Sequence, residues 1–312
     1  LRLSLTSRLI ASLGNQRGRV RGALVTGLVY SLGGRFFTRR FYREQGKLAE
    51  KEGQPQLWIS LSFDVDYAED VSSLGEVCNI LQELGVTASF AVVGCLVEKY
   101  PDEHRILSQA GHEIINHTYS HPDNEILHPN ERFDDLSPED QKNQIKRCHL
   151  VLEDLLGVSP QGFRAPHFGN VRDRRFYQTL AELGYSYSSS IISVDSPGFG
   201  LPFKTEEGIW EFPVSCCPVH PFTALDTWHA LRKPKARHKK AGEFASLVTE
   251  SVALVKLYGG YLNLYLDPRD VAGYDEARKA IQALKAPGPD LPGIITFSSH
   301  LELLQKGQVC NS

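Results

Sequence analysis

From Leu57 onward, short apolar runs alternate with longer stretches of helical periodicity. That rhythm restricts the chain to βαβ units built on a parallel sheet. Residues 57–63 are rich in β-formers and read as a buried strand. Residues 71–84 have helical spacing and stop at Gly85, a C-cap signal. Residues 87–93 and 112–116 read as the next two strands, around a helical segment at 97–110 that Pro101 interrupts. Ser137-Pro138-Glu139-Asp140 opens another helix, with Ser as N-cap, Pro in the first turn and acids facing the positive end of the helix dipole. Further strands are expected at 161–163, 185–192, 209–214, 261–266 and 293–297, with helices at 172–183, 241–257 and 274–284. Seven to eight such units in roughly 250 residues indicate an α/β fold, a closed (β/α) barrel of seven to eight parallel strands more than an open sheet. Chemistry in parallel barrels sits at the C-terminal strand ends, so reactive residues should follow the strands.

They do. Asp64 and Asp66 close the first strand, two residues apart and so on one side of it. Crowded carboxylates repel unless a cation, an arginine or a proton offsets them. His117 and His121 follow the third strand, and Arg164, His167 and Phe168 follow the fourth. Asp267 ends the run 261–266, and His300 follows 293–297. Imidazoles four residues apart share a face in a helical turn. With one carboxylate they make three ligands and leave positions open for water and substrate, the catalytic form of a zinc-type site. Arg164 beside Asp64 would favour its ionised form. The plainer readings are a rim salt bridge for Arg164 and a helix N-cap for Asp64.

The strings SFDVD, GHEIINHTYSHP and RAPHFGN resemble the first three motifs of the polysaccharide deacetylase family, the NodB-homology group related to carbohydrate esterase family 4. The likeness covers roughly residues 57–300. It implies a distorted barrel and one divalent metal ion, most often zinc. Asp66, His117 and His121 would be its ligands, Asp64 the catalytic base, and Arg164 the partner of the base. The Asp-x-Asp spacing departs from the family's commoner adjacent pair. It is similar to a variant branch that includes peptidoglycan deacetylase-like and ring-amide hydrolases. A late family motif carries a His where this chain has Asp267, so the general acid is open between His300 and Asp267, with His167 a further candidate. Tyr119, His167, Phe168 and Trp210 are the candidates for substrate contact, Trp210 against a plain core role.

The implied activity is removal of acetyl from an N-acetylated sugar of a surface polysaccharide or lipid-linked precursor, as in lipopolysaccharide biosynthesis. The alternatives are a cyclic amide or imide hydrolase on the same fold, or a carbohydrate-binding pseudo-enzyme. Charge bears on partners. Residues 1–51 hold eleven of the 34 Lys and Arg but two of the 37 acids, +9 against −12 for the rest. A basic leader on an acidic body argues against a nucleic-acid binder and suits contact with an anionic surface. Residues 1–52 are therefore expected to form a basic extension with peripheral membrane contact, and 53–312 the catalytic domain. The apolar stretch 23–32 is far shorter than the ~20 residues of a spanning helix. The six cysteines form no CxxC pair and read as free thiols, which favours a reducing, cytoplasmic setting at the inner face of a membrane.

Overall fold

The computed structural model describes residues 20–54, 57–168, 174–232, 238, 240–285 and 293–310. At its centre is β1 (Leu57–Val65). Its side chains alternate as a strand requires. Ile59, Leu61, Phe63 and Val65 join the main apolar core, while Ser60, Ser62 and Asp64 are buried on the opposite face. The strand therefore delivers a line of polar groups to the barrel interior, ending at its C-terminal rim.

Parallel neighbours flank β1: β2 (Ser89–Val92) on one side and β8 (Gly260–Leu266) on the other. Between them in sequence come β3 (Glu113–Asn116), β4 (Gly162–Phe163), β5 (Tyr187–Ser188), β6 (Phe203–Lys204) and β7 (Trp210–Glu211). The order across the sheet is β6-β7-β5-β4-β3-β2-β1-β8, and among the described strands only β6 is antiparallel to its neighbour. The sheet curls until the chain after β7 meets β8, where Ser215 N–H donates to Asn263 O at 2.9 Å. The helices of the described residues are α1 (Val20–Lys51), α2 (Ala68–Leu84), α3 (Gly94–Lys99), α4 (Pro101–Gln109), α5 (Pro138–Leu156), α6 (Arg174–Glu182), α7 (Thr227–Leu231), α8 (Glu243–Tyr258), α9 (Pro268–Gly273), α10 (Asp275–Lys285) and α11 (Phe297–Cys310). The sequence signals act as expected at α2, where Gly85 takes the left-handed C-cap, and at α5, where Ser137 Oγ accepts the Asp140 N–H.

Residues 293–297 depart from expectation. They form no strand, only an isolated bridge between Ile294 and Ile59, before α11 begins. The N–H groups of Phe297 and Ser298 donate to the Glu113 carboxylate at the start of β3, at 3.0 and 3.1 Å. A carboxylate at a helix N-terminus is favourable on both hydrogen-bonding and dipole grounds. Helix α11 thereby plugs the barrel at the end opposite its C-terminal rim. Beneath that rim Tyr187, Trp210, Phe212, Tyr261, Phe297 and Leu301 form a second apolar cluster.

Helix α1 is built into the body from Gly34 onward. Phe41, Tyr42, Gln45 and Ala49 are buried. Gln45 donates to Phe199 O at 2.8 Å and accepts the Tyr261 N–H at 3.2 Å, so it seals the start of β8. Glycines permit this approach: a Cβ on Gly46 would lie 1.8 Å from Tyr258 O, and one on Gly260 2.3 Å from Gln45 Oε1. The basic extension is thus no separate module over its second half. Among the described residues no helix is long and apolar enough to cross a membrane. Residues 232–240, a run rich in Lys and Arg in the sequence, lie mostly outside the described residues.

Candidate active site

At the rim β1 presents Asp64 and Asp66, and the loop after β3 brings two imidazoles against them. His117 Nε2 lies 3.3 Å from Asp66 Oδ1 and 3.7 Å from Asp64 Oδ2. His121 Nε2 lies 3.5 Å from the same Asp66 oxygen. The two rings are 4.8 Å apart. Their pairing does not come from a helical turn. Thr118 and His121 have φ of 68° and 48°, a left-handed path that a β-branched residue rarely takes. Local bonds hold it: Thr118 N–H donates to Asn116 Oδ1 at 2.8 Å, and His121 N–H to Thr118 Oγ1 at 3.0 Å. Such backbone strain collects at functional sites, where surrounding contacts over-determine it.

These three residues fit a divalent cation. One donor atom each from Asp66, His117 and His121 lies within 4.8 Å of the others. Asp66 Oδ1 and His117 Nε2 are buried with no hydrogen-bond partner, an expensive arrangement unless something else satisfies them. His117 Nδ1 lies 2.7 Å from Arg164 O, which makes Nδ1 the protonated nitrogen and leaves the Nε2 lone pair facing Asp66. Burial holds the His121 imidazole down to about 3, keeping it neutral as a ligand must be. Burial opposes ionisation of Asp66, yet His121, His117 and Arg269 together keep its carboxyl below the usual range.

Arg164 is completely buried, and its guanidinium makes four hydrogen bonds. Nη1 donates to Asp64 Oδ1 at 2.6 Å, Nη2 to Ser62 Oγ and Ser189 Oγ at 2.9 Å each, and Nε to Ser189 O at 3.0 Å. Arg164 and His117 favour the Asp64 carboxylate. Burial, the larger effect, with help from Asp66, still leaves its pKa raised. The expected lowering by Arg164 is present but is outweighed by desolvation.

Other candidates separate. His167 stands at the mouth, its ring 5.2 Å from His121 and its Nε2 3.6 Å from Asp123. Phe168 packs on Tyr265 at 5.0 Å, with the Arg164 guanidinium 5.2 Å from its ring. Asp267 is buried at the end of β8. Its Oδ1 accepts from Tyr265 Oη at 3.0 Å, and its Oδ2 has no partner. Burial first, then Asp70 and Asp270, push its carboxyl well above the ordinary range.

Three expectations are corrected. His300 is not on the rim. It sits in α11 among Trp58, Tyr261 and Phe212, with ring distances of 5.2, 5.1 and 5.4 Å. Trp58 precedes Asp64 by six strand residues, a span of about 20 Å. Trp210 belongs to the lower apolar cluster. Tyr119 turns away from the imidazoles: its hydroxyl bonds Glu98 and Arg147, and the Arg147 guanidinium covers its ring at 3.4 Å.

The structure also adds residues that sequence reading missed. Asp70 accepts from the N–H groups of Asp66, Tyr67 and Arg269, tying β1 to α9. Asn124 Nδ2 donates to Asp66 O at 2.9 Å. Beside β8, the buried Asp226 accepts at Oδ1 from the His229 N–H and holds His229 Nδ1 at Oδ2, each at 2.6 Å. An Asp three residues before a His at a helix start was the available signal.

The polysaccharide deacetylase family model matches residues 51–188. Over those residues the chain is similar to that family. The chain is 30% identical over 109 residues to the peptidoglycan-N-acetylglucosamine deacetylase of Bacillus cereus, covering 35% of this chain and 36% of the relative. It is 33% identical over 115 residues to the chitooligosaccharide deacetylase of Azorhizobium caulinodans, covering 36% and 50%. The chain thus spans about a third to a half of the length of these relatives. The fold is also that of a crystal structure assigned as a polysaccharide deacetylase from Mycobacterium smegmatis, with TM-score 0.64 and 21% identity over 81% of this chain and 92% of the other. An allantoinase structure shares the fold at TM-score 0.61 and 12% identity, over 80% and 90%.

Proposed function

We propose that the chain hydrolyses the N-acetyl group of an amino sugar within a glycan, with Asp66, His117 and His121 holding one zinc-type divalent cation. The observation that carries this reading is the convergence of those three donor atoms beside an Asp64 clamped by Arg164. The names of the Bacillus and Azorhizobium relatives support the substrate class.

When bound, such a cation supplies polarisation of the acetyl carbonyl and acidification of water. Asp64 accepts the proton of the attacking water. Its Oδ1 is occupied by Arg164, so Oδ2, on the His117 side, is the basic oxygen. Arg164 fixes the angle of that carboxylate and steadies its charge. The leaving amine needs a proton, and two rim groups can give one. Asp267 is a carboxyl whose protonated form burial favours, and His229 is an imidazole oriented by Asp226. His167 and Phe168 at the mouth would meet the sugar.

The test is acetate release from chitooligosaccharides and from peptidoglycan fragments, with and without a chelator. Release that a chelator abolishes and added zinc restores is the expected result. Metal-loaded protein that binds these glycans and releases no acetate would overturn hydrolysis and leave a glycan-binding role.

A further inference from the structure

A second cluster of ligand-type side chains lies outside the residues assigned to deacetylation. The turn after β7 folds tightly on itself: Cys217 N–H donates to Thr223 O, His220 N–H to Cys217 O, and Thr223 N–H to His220 O. This turn brings His220 Nδ1 to 3.7 Å from Cys217 Sγ. From the connection between α7 and α8, His238 brings Nε2 to 3.6 Å from the same sulfur. The two imidazole rings are 5.2 Å apart, and the three donor atoms all lie within 4.8 Å of one another. Cys217 is 2% and His238 9% exposed.

We propose that Cys217, His220 and His238 form a second metal site, for a zinc-type divalent cation. A tetrahedral zinc with ordinary Zn–S and Zn–N bonds places its sulfur and nitrogen ligands about 3.6 Å apart. Both observed separations match. The alternative is a set of thiol–imidazole hydrogen bonds. That alternative needs the thiol to donate S–H to one facing nitrogen while the other imidazole donates N–H to the weakly accepting sulfur. One cation satisfies sulfur and both nitrogens together. Behind His238, its Nδ1 faces Glu243 Oε1 at 3.7 Å. A carboxylate on the far nitrogen is how metal-bound histidines are commonly oriented. One thiolate with two imidazoles suits zinc rather than calcium or magnesium.

The site would act as a staple. The turn it holds is also the seat of α1: Thr38 Oγ1 donates to Pro218 O at 2.9 Å, and Phe37 packs on Phe222 at 5.5 Å. Its other end runs through the bridge between Cys216 and Ala224 to Asp226 and His229. The cation would fix the turn to the His238 segment, and with it the start of α7. The proposal does not depend on the deacetylase reading.

Cobalt(II) reconstitution tests it, because Asp66, His117 and His121 offer no sulfur. Wild-type protein should bind two cobalt ions per chain and show a thiolate-to-cobalt charge-transfer band in the near ultraviolet. Asp66→Ala should lose one ion and keep the band. Cys217→Ser and His238→Gln should each lose the other ion and with it the band. If a variant fails to fold, the wild-type and Asp66→Ala spectra still decide. A wild-type spectrum without the band, with a single ion that Asp66→Ala removes, overturns the proposal and leaves only hydrogen-bonded side chains.

Discussion

Arg164 Nη1 stands 2.6 Å from Asp64 Oδ1, and neither side chain has meaningful access to water. A buried pair of this kind adds modest net stability when intact, but breaking it is expensive because the remaining charge has no solvent. Arg164→Gln should destabilise the protein by about 3–5 kcal/mol and abolish turnover. Urea unfolding measures the first and acetate release the second. A loss below about 1 kcal/mol would mean that Asp64 is neutral and weakly held.

Asp64 and Asp66 should separate cleanly on substitution. Asp66→Ala or His121→Ala should lose the bound ion by elemental analysis. Asp64→Asn should retain it while turnover falls about 10²–10⁴-fold, the range for a lost general base. Equal loss of metal in all three variants would make Asp64 a ligand instead.

The proton donor is assigned by a pH profile. If Asp267 is the acid, Asp267→Asn removes the descending alkaline limb of kcat and His229→Ala leaves it in place. If His229 is the acid, the pattern reverses, and His229→Ala activity is rescued by added imidazole. A profile unchanged in both variants removes both residues from the role.

His300 should make stability depend on pH. Burial among Trp58, Phe212 and Tyr261 lowers its pKa to about 3, and its Nδ1 has no partner. Below about pH 6.5 the unfolded imidazole binds a proton that the folded one refuses. Its contribution is complete above that pH. It is lost as pH falls from 6.5 towards 3, at up to about 1.4 kcal/mol per unit. His300→Phe should therefore lose less stability than wild type between pH 7.5 and pH 5, read from urea midpoints. Parallel curves for the two proteins would place the ring in water.

The sequence made the site's core legible because strand periodicity is rigid. Asp64 on the inner face of β1 and Asp66 just beyond follow from a period of two, and the His pair follows from the loop after β3. The reason expected for that pair was wrong, since positive φ at Thr118 and His121 leaves no mark in residue type. His300 failed for a different cause. The apolar run 293–297 looks like a strand, but its backbone bonds go to Ile59 and Glu113 at the lower end, which only the tertiary fold decides. Tyr119 and Trp210 are amphipathic side chains, and whether Arg147, the core or a sugar takes the ring is not a local property. Asp226 and His229 read as an ordinary helix start, which they also are.

The seal that Gln45 makes on Tyr261 and Phe199 bears on how this domain can be cut. The family match opens at residue 51, after α1 has ended its packing. A shorter protein begun at that point would keep every proposed catalytic group. It would also lose the cover over β8 and uncover the hollows filled by Phe41 and Tyr42. Such a fragment should be sticky and prone to self-association, so the polypeptide preceding the match is part of what keeps the apolar surface of this domain covered.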